Sequence, residues 1–316
     1  MAADSALLGL RVLVTGGAGF VGTHLVNALI ADGADVIVLD DLSNSNTDHL
    51  NSRAALINGS VTDEQKRGEA LAGAEVVMHL AAIASVSLCE EKPELSALVN
   101  RDAAIELARQ SREAGVSAFI FVSSAAIYGE PTIIPIDENH PQVPIGVYGS
   151  HKAEADDVIL AMADSGLPLT VIRPFNIYGV GQDPASSYSG VLTIFSNRAK
   201  AGQPLTVFGD GEQTRDYIHV SDIVSSLCAV ASSLVEKGEA SPCHGRPFNS
   251  CSGHSTSLNQ IITALGDALG KPLQVVNESP RQGDARESVG DGQALHSAIG
   301  WKSSVSLEDG LSQLLN

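Results

Sequence analysis

An α/β fold, a doubly wound parallel sheet followed by a smaller C-terminal lobe, is what this 316-residue sequence predicts. Three observations carry the expectation. Short apolar runs alternate with helical stretches through the first half, the pattern of a parallel sheet with crossover helices. A glycine-rich turn, Val14-Thr15-Gly16-Gly17-Ala18-Gly19-Phe20-Val21-Gly22, joins the first apolar run to the first helix. Beyond Pro174 the alternation gives way to shorter, less regular stretches, with a Gly-, Ser- and Pro-rich loop over 179–189.

Each element has its own signal. Arg11-Val12-Leu13-Val14 reads as a buried strand, and 24–31 as a helix stopped by Asp32-Gly33. Val36-Ile37-Val38-Leu39 is a second strand ending in Asp40. Residues 54–58 and 75–80 are the third and fourth strands, the latter centred on Val76 and Val77. Pro93 opens a long helix that runs to Glu113 and closes at Gly115. The fifth strand is 118–123, a helix over 148–165 ends at Gly166, and the sixth strand, 169–173, stops at Pro174. Later come a strand over 216–220 and helices over 221–234 and 257–269. There is no internal repeat. The expected division is 1–175 and 176–316, with a segment near 215–235 returning to the first unit.

Strand, glycine turn, helix, strand, acid is the order a dinucleotide site needs, so the first unit is expected to be a Rossmann-type domain. Glycines let the backbone turn tightly and approach a pyrophosphate, which then meets the N–H groups and positive dipole end of the helix. Asp40 is placed to accept ribose hydroxyls. It and Asp41 would repel a 2′-phosphate, and no Arg or Lys lies between Asp40 and Ser52 to offset them. The cofactor expected is therefore NAD.

The formal net charge of −18 argues against a nucleic-acid partner. It also means that a diphosphate substrate needs local cations. No apolar stretch reaches membrane-spanning length, and Met1-Ala2-Ala3-Asp4-Ser5 lacks the basic region of a signal peptide, so a cytoplasmic location is expected. Cys89, Cys228, Cys243 and Cys251 are scattered, without the spacing of a metal site or a disulfide framework. No metal is expected.

Tyr148 and Lys152 are four residues apart, which puts them on one helical face. A phenol with a reference pKa near 10 is a poor base, but a neighbouring ammonium favours the phenolate. Tyr148 is then positioned to take a proton from a sugar hydroxyl, with Ser124, just after the fifth strand, holding that hydroxyl in line. The uneventful readings are retained for some neighbours. His79 ends a strand and packs, His151 faces solvent, and Asn249 caps the Ser257 region or supports the second lobe.

At this point the chain resembles the extended short-chain dehydrogenases/reductases, in their nucleotide-sugar epimerase and dehydratase branch. The resemblance runs from about Arg11 to Trp301. It rests on residues 15–22, Asp40-Asp41-Leu42-Ser43-Asn44, His79-Leu80-Ala81-Ala82, Ser123-Ser124, Tyr148 and Lys152, Arg173-Pro174-Phe175-Asn176-Ile177-Tyr178-Gly179, Gly209-Asp210-Gly211 with Arg215-Asp216, and Arg281-Gln282-Gly283-Asp284. The resemblance implies that Ser124, Tyr148 and Lys152 are catalytic. It implies that Gly16, Gly19, Phe20 and Val21 hold the NAD pyrophosphate, and that Asp40 holds the adenosine ribose with Asn44 and Ser45 nearby. Ser60 and Val61 would flank adenine, where the family often has Asp at the first position. Leu80, Ala81 and Ala82 would pack under the cofactor, with Tyr148 and Lys152 at its nicotinamide end. Asn176, Arg215 and Arg281 would hold the diphosphate, Asp284 the uridine ribose, and Thr206 and Phe208 the base, with Val191 also among the substrate-binding residues. A homodimer through helices containing 104–113 and 153–163 is also implied.

The branch shares a first step, oxidation at C4 of the sugar to a 4-keto intermediate. An epimerase then returns hydride to the other face. A 4,6-dehydratase uses an Asp-Glu pair just after the catalytic Ser or Thr, and here those positions are Ala125 and Ala126, which transfer no proton. The expected activity is a UDP-GlcNAc/UDP-glucose 4-epimerase. The alternatives are a UDP-sugar dehydratase whose acid or base comes from Cys89 or Glu90, and a non-catalytic NAD sensor. By the same resemblance Ser288 falls where some family members carry a bulky Tyr beside the sugar C2 substituent, and so leaves room for an N-acetyl group.

Overall fold

Runs that are apolar at every position make strands buried on both faces, because successive side chains point to opposite sides of a sheet. In the computed structural model, which describes residues 5–182, 190–280 and 285–316, β1 (Arg11–Thr15) behaves in this way. Val12 and Val14 enter one hydrophobic cluster, and Leu13 another. β2 (Asp35–Asp40), β3 (Ala55–Asn58), β4 (Val76–His79), β5 (Ala118–Val122) and β6 (Leu169–Pro174) extend the sheet, with every pairing parallel. On one face lie α1 (Phe20–Ala31) and a later helix. On the other lie α2 (Glu64–Leu71), α5 (Ala103–Glu113) and α6 (Gly146–Leu160), preceded by the short α3 (Val86–Glu91) and α4 (Pro93–Ala97).

The chain then leaves the sheet as β7 (Asn176–Tyr178), α7 (Val191–Lys200), β8 (Leu205–Phe208) and β9 (Thr214–His219). It returns twice. Helix α8 (Val220–Lys237) packs Ile223, Leu227 and Val230 beside α1, and β10 (Pro247–Ser250) pairs with β6 as the seventh strand. The sheet order is β10-β6-β5-β4-β1-β2-β3. The strand expected over 216–220 thus belongs to a second sheet, and the seventh strand comes from a segment that carried no apolar run.

In the second sheet β9 pairs with β7, with β11 (Ser255–Ser257) and with β13 (Glu287–Ser288), while β12 (Val275–Glu278) and β8 form a separate two-stranded sheet beside it. Helices α7, α9 (Leu258–Leu269) and α11 (Leu307–Leu315) close its core around Leu192, Phe195, Val207, Ile261, Leu265 and Leu311. Helix α10 (Gln293–Ile299) instead joins the core of the main sheet through Leu295. Buried Asp216 ties the lobe to the main sheet by accepting hydrogen bonds from Ser252 N and Oγ, Gly253 N and Gly290 N.

Two helix expectations need correction. The 93–113 helix is interrupted by a π-helical turn, Leu98–Asp102. The 148–165 helix starts earlier, at Gly146, and ends at Leu160; a 3₁₀ turn, Ala163–Ser165, fills the remainder before Gly166 at φ 87°. The loop expected over 179–189 lies largely outside the described residues. Among the described residues no helix is long and apolar enough to cross a membrane, and no cluster of potential metal ligands is found.

Candidate active site

In a parallel sheet the carboxyl ends of the strands form one edge, and the candidate residues gather there. Gly16 follows β1 at φ 70°; a Cβ on it would lie 2.8 Å from Ala81 Cα and N, just past β4. On Gly22 a Cβ would come 2.1 Å from the Gly16 carbonyl oxygen. Both positions therefore demand glycine: Gly16 leaves bare backbone before α1, and Gly22 lets that turn pack against the first turn of the helix. That helix has no side-chain cap, so its first N–H groups face the edge for an anion to meet.

Asp40 at the end of β2 supports the turn directly. One carboxylate oxygen accepts from Ala18 N at 3.0 Å, and the other from Leu42 N at 2.9 Å and Ser45 Oγ at 3.0 Å. A carboxylate has about four acceptor sites, so one remains for a ribose hydroxyl. Asn44 lies in the same loop. Ser60 follows β3 with its Oγ accepting from Thr62, and Val61 beside it is buried. Leu80, Ala81 and Ala82 follow β4, and Phe20 and Val21 open α1 after Gly19. A bare turn, an uncapped helix and an acid across from it form a cradle that fits NAD.

Ser124 follows β5 and accepts from Ala126 N at 3.1 Å, capping the 3₁₀ turn Ala125–Tyr128. Tyr148 sits in the first turn of α6 and Lys152 one turn later. Between them, Gly149 allows close contact: a Cβ there would come 2.7 Å from the Ala126 carbonyl oxygen and 3.0 Å from Pro144 Cβ. This contact seats the Ser124 turn against the Tyr148 helix. Burial pushes the Tyr148 phenol up, and its hydrogen bond with Ser124 opposes that shift. Lys152 is almost fully buried, donates to Val122 O at 2.6 Å, and is pushed down to about 7 by desolvation, with the Asp156 charge opposing.

Several neighbours were missed in the sequence or placed differently. Glu90 reaches across from α3 and accepts from Val147 N at 2.7 Å, supplying the cap that Ile145 does not give α6. The Cys89 thiol is buried and donates to Ile83 O. Asp156, one turn beyond Lys152, makes a two-point buried ion pair with Arg173 of β6, whose guanidinium also donates to Tyr128 Oη and Glu138 O. A lone charge in the apolar run Leu169–Pro174 was the available signal for that pair. Asn249 does not cap 257; it is buried, accepts from Tyr128 Oη and donates to Ile136 O. Ser257 makes its own capping box with Gln260. His151 does not face solvent alone but hydrogen-bonds Ser96. His79 packs as expected. Thr15 Oγ1 accepts from Ala81 N and shares a hydrogen bond with His79 Nδ1, 2.6 Å away.

In the second lobe, register brings the polar candidates together. Ser288 of β13 pairs with Arg215 of β9, and Asn176 at the start of β7 pairs with Tyr217 and donates to Asp216 O. Thr206 and Phe208 lie on β8, and Val191 opens α7. Arg281 and Asp284 lie outside the described residues.

A model of the NAD dependent epimerase/dehydratase family matches residues 12–267. The UDP-glucose 4-epimerase of Mycolicibacterium smegmatis is 36% identical over 313 residues, covering 96% of this chain and 97% of that protein. The crystal structure of UDP-glucose 4-epimerase from Thermotoga maritima with UDP-glucose has a TM-score of 0.90 at 37% identity, covering 97% of both chains. A UDP-N-acetylglucosamine 4-epimerase from Methanobrevibacter ruminantium M1, in complex with UDP-N-acetylmuramic acid, has a TM-score of 0.89 at 29% identity, covering 98% of this chain and 97% of that one. The Rossmann-type sheet and its edge define an NAD-dependent enzyme of the extended short-chain dehydrogenase/reductase class. The chain belongs to the NAD-dependent epimerase/dehydratase family of nucleotide-sugar enzymes.

Proposed function

We propose that this chain is a UDP-hexose 4-epimerase whose cleft admits N-acetylated as well as plain hexoses. The observation that carries this reading is the pair Ala125-Ala126 directly after Ser124, where an elimination enzyme needs proton-transferring groups. The other groups near the cleft are already engaged, the Cys89 thiol with Ile83 O and the Glu90 carboxylate with Val147 N. The named relatives support UDP-glucose, and Ser288 beside Arg215 supports room for an N-acetyl group.

NAD, when bound, supplies the acceptor and donor of hydride at sugar C4. Ser124 orients the 4-hydroxyl, and Tyr148 takes its proton and gives it back. Lys152 supplies the positive charge that makes the phenolate accessible. Gly16, Gly19, Phe20 and Val21 hold the pyrophosphate, Asp40 with Asn44 and Ser45 the ribose, and Ser60 and Val61 the adenine. Asn176, Arg215 and Arg281 hold the substrate diphosphate, Asp284 its ribose, and Thr206 and Phe208 its base, with Val191 also at the substrate. The two lobes divide these tasks at about residue 175, in a cytoplasmic enzyme.

A homodimer is part of the proposal, with a revised surface. Ala104, Ala108 and Ala155 are consumed by the chain's own core, so the outer face offered to a second copy is Leu95, Leu98 and Val158.

The test is NMR and mass spectrometry of UDP-glucose and UDP-GlcNAc incubated with enzyme and NAD in deuterated water. Mass-unchanged products with inverted C4 and no deuterium are expected. Loss of water, or deuterium at C5 or C6, would overturn the proposal in favour of elimination.

A further inference from the structure

Lys152 presents a solvation problem. A buried ammonium has three protons to satisfy and loses its charge if they find no partner. Val122 O takes one. The Phe121 ring lies directly under the nitrogen, its centroid 4.4 Å from Nζ, within the range where a ring's negative face attracts a cation. Phe121 is fully buried, and its ring stacks on His79 with centroids 5.8 Å apart and planes 19° apart. His79 is in turn fixed by Thr15 at Nδ1, while its Nε2 is buried with no partner among the described residues. The result is a layered arrangement of ammonium, phenyl and imidazole, spanning α6, β5 and β4.

We propose that Phe121, backed by His79, is a positioning residue for Lys152, its ring face holding the ammonium charged at the carboxyl end of β5, one helical turn from Tyr148. The proposal rests on the reading of Lys152 as the cation that activates Tyr148. A leucine at 121 would fill the volume but present no negative face. The neutral His79 belongs to the same design: burial pushes its imidazole down to about 3, so no second cation stands behind the ring. The other charged or titratable groups around Lys152 are accounted for. Asp156 on α6 opposes its discharge but is paired with Arg173 of β6; Arg67 of α2 acts on His79; Cys89 of α3, its thiol on Ile83 O, acts on Tyr148.

The test separates ring charge from ring shape. Phenylalanines carrying one, two or three fluorines are placed at position 121, which drains the negative face while nearly keeping the volume. Ionisation of Lys152 is followed by NMR of ¹³C-lysine-labelled protein without substrate, its signal assigned with Lys152→Met. Progressive fluorination should raise the acid dissociation constant of Lys152, by about 2- to 30-fold at three fluorines. Phe121→Leu should act in the same direction. The alkaline limb of kcat/KM for UDP-sugar turnover should move to lower pH by the same factor. An unchanged Lys152 titration across the folded fluorinated series would overturn the proposal. A shifted titration in a protein that turns over no UDP-sugar would support the contact and remove the epimerase reading. Full turnover by Lys152→Met would overturn both.

Discussion

Tyr148 and Lys152 each resist the charge that the proposed chemistry asks of them. Burial raises the phenol and lowers the ammonium, so neither is a useful ion alone. In the proposed mechanism the ammonium and the phenolate share one helical face, and the phenolic oxygen is the atom that carries the proton. Tyr148→Phe should lower turnover by about 10²–10⁴-fold while NAD and UDP-sugar affinities, read by calorimetry, stay within a few-fold; a variant turning over at the wild-type rate would end the proposed role. His79 has a different consequence, seen in stability. Its imidazole titrates near 6.5 when unfolded and only near 3 when folded, because burial excludes the charged form. Between those values the unfolded chain binds the extra proton, so stability is full above pH 6.5 and falls as the pH drops toward 3, by on order of 4–5 kcal/mol. His79→Phe should flatten that part of the pH dependence in urea unfolding at pH 4 and pH 7. An unchanged slope would place the acid sensitivity elsewhere.

Helix α6 and the turn after β5 work only as a docked pair, and Gly149 is where they dock. A methyl at 149 would press on the Ala126 carbonyl and on Pro144, forcing the Ser124 turn away from Tyr148. Gly149→Ala should lose about 1–3 kcal/mol of stability and about 10²-fold in kcat, because displacements near 1 Å at reacting groups are that costly. Wild-type kcat in a variant with lowered Tm would show that the contact is structural only. What was legible at this scale followed from local pattern. β1, β2 and β5 were readable because Val12, Val38 and Ile120 recur in runs buried on both faces. The Tyr148–Lys152 pair was readable because four residues make one helical turn. β10 was not, because Pro-Phe-Asn-Ser holds a single large apolar side chain, and its Asn249 is buried through hydrogen bonds to Tyr128 and Ile136. The Glu90 cap and the Gly149 contact were hidden for another reason. Each joins segments distant in sequence, and nothing local to Glu90 announces Val147 as its partner.

At the scale of the whole molecule, a formal charge of −18 surrounds a site proposed for an anionic diphosphate. Two fields of opposite sign therefore act on the approaching substrate. The distributed carboxylates repel it at long range, while the proposed phosphate ligands, among them Arg215 beside Ser288, attract it at contact. Salt does not treat the two equally. The screening length shrinks from about 30 Å at 10 mM salt to about 8 Å at 150 mM, which removes the distant repulsion but leaves contacts within a few ångströms largely intact. The association rate of UDP-sugar, measured by stopped flow with NAD-loaded enzyme, should therefore rise a few-fold over that range, the reverse of an electrostatically steered enzyme. Dissociation should change less, since it is governed by contacts already formed. An association rate that falls with salt would mean that the arginines set the field well beyond the cleft and that the acidic surface is turned away from the path of entry.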